Sequence, residues 1–358
     1  MINICFVLGT RPEIIKLSPL IKLCKKKKLK ISIIHTGQHF KFNMEGQFFK
    51  DLKIKPNYFL NINNKKSYNR NFLNRTVNKL VKLYKLIKPD YIINQGDTNS
   101  VLASALAHKK IKNKIKSKLV HVEAGIRSFD KKMPEEMNRI IADKLSDILF
   151  APTKIAKKNL TNEKIDKKKI YIVGNTISDT IKNNKHLIKK INNSNKYFFL
   201  TLHRPETVDK IHRFKEVVKT LIEISSILNI KIIFPIHPRT EKKIIKLNIK
   251  DYKNLKIIKP CNYFKSLSFQ KNSKLILTDS GGVQEEACIL NRPCVTIRKN
   301  TERPETLIIK SNVLVGYKPK AIKKGILKMM KVKKNWKNPY GESVSKKILK
   351  ILIKKNEK

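Results

Sequence analysis

His121 to Arg139 reads HVEAGIRSFDKKMPEEMNR. The β-branched run that enters it, LVHVEAG, has the length of a buried strand, and Pro134 opens a helical pattern after a short loop. Strand, loop and helix in that order make half of a βαβ unit. The stretch holds Glu123, Asp130, Glu135 and Glu136 beside Arg127 and Arg139, in a chain with only 27 acids against 80 lysines and arginines. Carboxylates at the C-terminal end of a strand and at the start of the next helix face the crevice where open α/β sheets bind ligands.

The same alternation extends outward in both directions. Before it come INICFVL and a helical pattern from Glu13 to Lys26, ISIIHTG and the pattern Lys41 to Asp51, then Asn69 to Lys88 leading to YIINQGD, and Ser100 to Lys109 leading to KLVHVEAG. After it come DILFAPT, IYIVGN and a polar helix from Asn175 to Lys190. A second series begins at YFFLTLH and runs through the helix Asp209 to Leu228, IKIIFPIH, a Lys-rich helix, LKIIKP, SKLILTDSGG, a helix from Val283, and PCVTIRK. Strands separated by helical patterns imply parallel sheets. The expected fold is α/β, with two Rossmann-like doubly wound parallel-sheet domains. The first spans residues 1–174, the second 175–341, and a terminal helix of about 342–358 is placed back on the first.

Composition bounds the function. A chain of 358 residues, 41% hydrophobic, can bury two cores, and no apolar run is long enough to span a bilayer. The N-terminal run lacks a basic leader and a cleavage site, so it reads as a first strand, and a cytoplasmic protein without membrane insertion is expected. Five scattered cysteines without a C-x-x-C pair argue against a disulfide framework and against zinc. The formal charge of +53 rests almost wholly on 69 lysines spread along every helical segment, a chain-wide bias with solvated faces. Basic and aromatic residues do not interleave on one face, so no specific nucleic-acid partner is expected.

The bias makes arginine informative. Only 11 are present, and seven of them (Arg11, Arg127, Arg139, Arg204, Arg239, Arg298, Arg303) lie in the motif-like stretches. A chain that defaults to lysine and writes arginine there calls for the planar fork that grips phosphate or carboxylate.

Six turns carry candidate chemistry. Gly9-Thr10-Arg11-Pro12-Glu13 follows the first strand and can cradle phosphate, or be an ordinary βα turn with Pro12 at the first helical position. It is not G-x-G-x-x-G, so a nicotinamide site is not indicated. Gln95-Gly96-Asp97-Thr98 offers Asp97 as a base or as a helix cap. Glu135 and Glu136 suit either a helix dipole or catalysis, and Glu135 with Arg139 has the spacing of a helical ion pair. His203-Arg204 and His237-Pro238-Arg239 end two strands of the second series and suit a diphosphate. Ser280-Gly281-Gly282 presents backbone N–H groups at a helix start, with a carboxylate one turn on to accept from ribose hydroxyls.

In order and spacing, GTRPEIIKLSPL, TGQH, QGDTNS, HVEAGIRSFD, MPEEMNR, VGNTISDT, LTLHRPETVD, PIHPRT, LTDSGGVQEEA and TIRKNTERPET resemble the non-hydrolysing UDP-N-acetylglucosamine 2-epimerases, from residue 1 to about 340. The resemblance implies the glycosyltransferase-B arrangement of two domains facing a cleft. It also implies interconversion of UDP-GlcNAc and UDP-ManNAc by a homodimer without nicotinamide or a required metal. By the same resemblance Asp97, Glu123, Glu135 and His203 are the catalytic set. Arg11, Lys16, His237, Ser280, Gly281, Gly282, Glu286 and Arg303 bind substrate, and Gln38, Arg75 and Arg204 match contacts of a regulatory UDP-GlcNAc site. Lys41 departs from the pattern of allosterically activated members, which have glutamine there. Hydrolysing relatives that release ManNAc and UDP, and epimerases of UDP-diacetamido-uronic acids, share these motifs.

Overall fold

The computed structural model describes residues 1–38, 49–60, 62, 70–191, 196–247 and 253–357. Lys41 and most of the helix expected over Lys41 to Asp51 lie outside the described residues. The chain divides into two compact units, Met1–Asn183 with Tyr340–Lys358, and Asn184–Pro339.

The first unit is a seven-stranded sheet of β1 (Asn3–Leu8), β2 (Lys30–His35), β3 (Tyr58–Phe59), β4 (Tyr91–Gln95), β5 (Lys118–Val122), β6 (Ile148–Ala151) and β7 (Ile170–Ile172). Its order is β3-β2-β1-β4-β5-β6-β7, and all the pairings are parallel. The order reverses between β1 and β4, the switch point where doubly wound sheets take their ligands. In the second unit β8 (Tyr197–Thr201), β9 (Lys231–Pro235), β10 (Leu255–Ile258), β11 (Leu275–Thr278), β12 (Cys294–Thr296) and β13 (Asn312–Leu314) run in the order β10-β9-β8-β11-β12-β13. Its switch point lies between β8 and β11. Two doubly wound parallel sheets are therefore present, as the alternation implied.

Helices on both faces explain why the strands read as continuous apolar runs and not as alternating ones. Every residue of β1 is buried, and Val7, Ile34, Leu80, Ile92 and Val101 share one core. Phe198, Leu200, Val218, Leu277, Val295 and Ile326 form the corresponding core of the second unit. Cys5, Cys24, Cys288 and Cys294 belong to these interiors as free thiols. Burial pushes Cys24, Cys288 and Cys294 up to about 12, far from reactive thiolates.

The helix Ile177–Asn183 lies in the first unit, whereas the pattern from Asn175 onward assigns it to the second. Thr180 Oγ1 donates to the Ile15 carbonyl at 2.9 Å. Asp179 accepts from the amides of Val344 and Ser345 at 3.1 and 2.7 Å, capping the C-terminal helix Val344–Asn356. Helical periodicity shows that a segment has an apolar face but not which sheet it covers. Tyr91 Oη donates to the Leu352 carbonyl at 2.8 Å, which ties the terminal helix to β4. At Gly174 (φ +100°) a Cβ would stand 2.2 Å from the Tyr340 carbonyl oxygen, so only glycine admits this crossing of chain segments. Among the described residues no helix is long and apolar enough to cross a membrane.

Candidate active site

In the first unit, Gln95 of β4 and Val122 of β5 are register partners, so Gly96-Asp97 and Glu123 leave the sheet at the same level. Glu123 has φ +71°, a left-handed conformation that disfavours a residue with a Cβ by about 1–2 kcal/mol. Both its amide and that of Ala124 reach the Phe150 carbonyl at 3.1 Å, which holds the turn. The buried Glu123 carboxylate accepts at one oxygen, Oε2, from Lys16 Nζ at 2.5 Å and Gln95 Nε2 at 2.6 Å. Lys16, expected on substrate, is thus in contact with a candidate catalytic carboxylate.

Asp97 is held from the helix Pro134–Leu145. The Arg139 guanidinium donates to its carboxylate, and Asn138 Nδ2 donates to its carbonyl at 2.9 Å. Arg139 also reaches Glu136 at 2.7 Å, and Glu136 takes the Ser128 amide and hydroxyl and the Phe129 amide at 2.9–3.1 Å. Glu136 therefore organises the loop before its helix, while the adjacent Glu135 is half-buried. The spacing of Glu135 and Arg139 points to one carboxylate; the fold brings Arg139 to Glu136 and Asp97.

Arg11 is the first residue of the helix Arg11–Lys26 and is half-buried. Beside it, Glu13 is an enclosed carboxyl. It accepts from the Gly9 amide at 2.8 Å, Thr10 Oγ1 at 2.9 Å and Thr98 Oγ1 at 2.7 Å. Burial outweighs these bonds and raises its pKa to about 7. The T-x-x-E spacing of a capping box was the available signal. Gly9 itself allows a close approach, since a Cβ there would be 2.1 Å from both Ser100 Oγ and Thr36 Oγ1. Gln38 Oε1 accepts from the amide and the hydroxyl of Ser100, each at 2.9 Å, and Arg75 is exposed on the helix Arg70–Ile87.

His121, Asp143 and Arg127 form a second buried cluster in the first unit. His121 Nδ1 is 2.6 Å from Asp143 Oδ1, and its Nε2 is 2.8 Å from the Gly96 carbonyl oxygen. Asp143 Oδ2 accepts from Arg127 Nη2 at 2.7 Å and the Gly125 amide at 3.1 Å. Arg127 in turn forks onto Glu163 at 2.7 and 2.8 Å.

In the second unit, the enclosed Asp279 accepts from the backbone amides of His203 and Arg204 at 3.0 and 2.9 Å, with His203 Nδ1 3.4 Å away. The His203 and His237 rings lie 5.4 Å apart. Ser280 precedes the helix Gly281–Ile289, and its amide donates to Thr278 Oγ1 at 3.0 Å. Neither glycine of this helix start has a positive φ. A Cβ on Gly281 would make only an ordinary contact with Glu302 Oε2 at 3.5 Å, and one on Gly282 would meet no described atom within 4 Å. The fold of the unit does not require glycine at either position. One turn on, Glu286 accepts from Gln270 Nε2 at 2.6 Å.

Most of the motif arginines meet carboxylates of the protein itself. Arg303, expected on substrate, is buried, with Nε 2.5 Å from Glu285 Oε1. Arg298 forks onto Glu302 at 2.8 and 3.1 Å, and Arg204 Nη2 lies 3.7 Å from the same carboxylate. With Arg127 and Arg139, five of the seven motif arginines pair with carboxylates of their own unit. The fork is needed equally by an internal acid and by a ligand, and only the folded chain tells them apart.

Comparison with known proteins agrees with this fold. The family model described as UDP-N-acetylglucosamine 2-epimerase matches residues 21–353. The chain is 47% identical to a UDP-N-acetylglucosamine 2-epimerase of Methanococcus maripaludis, over 98% of this chain and 97% of that one. It is 38% identical to a UDP-2,3-diacetamido-2,3-dideoxy-D-glucuronate 2-epimerase of Pseudomonas aeruginosa, over 88% of each. Among solved structures, the Methanocaldococcus jannaschii UDP-GlcNAc 2-epimerase in complex with UDP-GlcNAc and UDP superposes with a TM-score of 0.90 at 45% identity, covering 98% of this chain and 99% of that one. This chain belongs to the UDP-N-acetylglucosamine 2-epimerase family.

Proposed function

We propose that this protein reversibly epimerises UDP-N-acetylglucosamine at C2 to UDP-N-acetylmannosamine without hydrolysis. The observation that carries the reading is the likeness to the Methanocaldococcus jannaschii enzyme, whose crystal structure holds UDP-GlcNAc and UDP and matches this chain over 98% of its length.

The C2 proton of a 2-acetamido sugar is not adjacent to a carbonyl, so it is not acidic enough to be removed on its own. Expulsion of UDP solves this. A carboxylate takes the C2 proton, the C2–H electrons form the C1=C2 bond of a 2-acetamidoglucal, and the C1–O electrons leave with the β-phosphate oxygen. Re-addition of UDP at C1, with a proton delivered to the opposite face of C2, completes the inversion.

The departing diphosphate gains charge as the bond breaks, and groups that bind it then lower the barrier. Ser280, Gly281 and Gly282 supply amides at a positive helix end, Arg11, His203 and His237 supply donors, and Glu286 takes the ribose hydroxyls. Asp97, Glu123 and Glu135 carry the proton transfers. Lys16 and Arg139 act on this chemistry by holding Glu123 and Asp97 in place. Arg303 supports the Ser280 helix through Glu285 and contributes to substrate binding from there. Gln38, Arg75 and Arg204 are the candidates for a regulatory nucleotide-sugar site. A cytoplasmic homodimer feeding surface-glycan synthesis completes the reading.

Identity to the Pseudomonas aeruginosa enzyme favours one alternative substrate, a UDP-diacetamido-uronic acid. Incubation with UDP-GlcNAc in deuterated water, followed by NMR of C2, tests the proposal. The expected result is UDP-ManNAc, with deuterium at C2 of both the product and the recovered substrate. Free ManNAc with UDP would instead mark a hydrolysing enzyme. Turnover of the uronate alone would replace the substrate.

A further inference from the structure

We propose that His121 is a positioning residue of this site, kept as an imidazolium that fastens the Gly96–Asp97 peptide to Asp143 and so sets where Asp97 and Glu123 stand. The inference rests on the catalytic reading of those two carboxylates.

The hydrogen-bond inventory carries the argument. A neutral imidazole has one donor and one acceptor nitrogen, whereas the charged ring has two donors. At His121 both neighbours are acceptors: the Gly96 carbonyl oxygen at 2.8 Å on Nε2, and Asp143 Oδ1 at 2.6 Å on Nδ1. A neutral ring would set a lone pair against an oxygen on one side, inside a site where the His121 side chain is 1% exposed and that of Asp143 is 0%. The other Asp143 oxygen receives Arg127 Nη2 and the Gly125 amide, which favours the ionised carboxylate and leaves the proton on the ring.

The charged groups around the ring come from every side. Asp143 belongs to the helix Pro134–Leu145, Arg127 to the loop after β5, and Glu163 follows the helix Lys154–Asn162. With His121 charged, two cations balance two anions. Burial opposes the ring's charge, but the charge and hydrogen bond of Asp143 and the bond to Gly96 outweigh it, so the pKa stands above the usual histidine value. Burial likewise opposes the charge of Asp143, yet His121 and Arg127 bring its pKa below the usual value.

Position turns this pair into a clamp. His121 lies on β5 two residues before Glu123, and the carbonyl it holds belongs to the peptide that begins Asp97. One ring thus couples the ends of β4 and β5, from which two of the three candidate proton-transfer groups project. Misplacement of a reacting group by about 1 Å can reduce a rate by roughly 100-fold, so the clamp acts on kcat.

Two measurements test the inference on the full chain. In the first, the ring nitrogens of His121, assigned by through-bond NMR, are followed from pH 6 to 10. Both are expected to carry protons at pH 7, with loss of the second proton at higher pH accompanied by loss of kcat. A ring nitrogen without a proton at pH 7 overturns the proposal, whatever the variants do. In the second, His121→Asn and His121→Gln each restore one donor position and no charge. Both are expected to lower kcat and C2 solvent exchange about 100-fold while leaving the dissociation constant for UDP unchanged. Wild-type kcat in either variant overturns the proposal. A parallel loss of UDP affinity marks a merely structural role and overturns it too. A wild-type enzyme that leaves UDP-GlcNAc and its C2 proton untouched would instead defeat the proposed function, and with it the premise of this inference.

Discussion

Lys16 Nζ stands 2.5 Å from Glu123 Oε2, and both side chains are 7% exposed. Removing one member of such a pair leaves the other charged and enclosed, which typically destabilises by about 3–5 kcal/mol, whereas removing both does not. Lys16→Met is therefore expected to destabilise the first unit more than the double variant Lys16→Met/Glu123→Gln does. Urea unfolding monitored by the exchange of β1 and β4 amides checks the order; equal losses in the single and double variants would show that the pair is not coupled.

Asp97, Glu123 and Glu135 lie in the first unit, whereas the Ser280 helix start lies in the second. Asp97→Asn, Glu123→Gln and Glu135→Gln are expected to bind UDP as the wild type does and to lose exchange of the C2 proton with solvent. Calorimetry and NMR in deuterated water separate the two effects. Unchanged exchange in all three variants would remove these carboxylates from the mechanism.

Gly9 and Gly282 make a discriminating pair. A methyl group at Gly9 collides with Ser100 and Thr36 side chains at 2.1 Å, while one at Gly282 meets no described atom within 4 Å. Gly9→Ala is expected to destabilise the first unit. Gly282→Ala is expected to leave stability unchanged or raise it by up to about 1 kcal/mol through helix propensity, while weakening UDP binding. Thermal unfolding and UDP titration of the two variants give opposite patterns if Gly282 serves the ligand; full UDP affinity in Gly282→Ala would assign it no such service.

Burial raises the Glu13 pKa to about 7 from the ordinary 4.5. A folded-state pKa above the unfolded value gives stability that is complete below the unfolded pKa and is lost as pH rises through the folded one. The full effect is about 3 kcal/mol. Wild type and Glu13→Gln should therefore differ in their pH dependence. The wild-type advantage is expected to shrink between about pH 4.5 and pH 7.5, from the pH at which the unfolded carboxyl ionises to that at which the folded one does. Amide exchange of β1 at the two pH values measures it, and parallel profiles for the two proteins would show that Glu13 does not titrate in this window.

The candidate site was legible in the sequence to the extent that its parts sit where strands give way to helices. Gly9, Gly96, Glu123, His203 and Ser280 all occupy such turns, and glycine, histidine and acids stand out against a lysine-rich background. Less legible was what each charged group touches. Arg298 and Arg303 were singled out by residue type, but their partners, Glu302 and Glu285, could only be found in the folded unit. The same holds for Glu13 and His121, whose character comes from enclosure, with donors from Gly9, Thr10 and Thr98 around the one and acceptors from Gly96 and Asp143 around the other.

The amino-acid sequence by itself determined two parallel α/β sheets and the turns that carry the candidate chemistry, because strand and helix periodicity and turn composition are local properties of the chain. Tertiary structure alone decided which charges meet. Lys16 and Glu123 are 107 positions apart, and Arg127 and Glu163 are 36 apart. It also decided that the Ile177–Asn183 helix packs in the first unit against the helices Arg11–Lys26 and Val344–Asn356, and that His121 faces an acceptor on each ring nitrogen. Pairing, desolvation and protonation depend on the neighbours that packing brings together in space, and no local pattern in the chain specifies them.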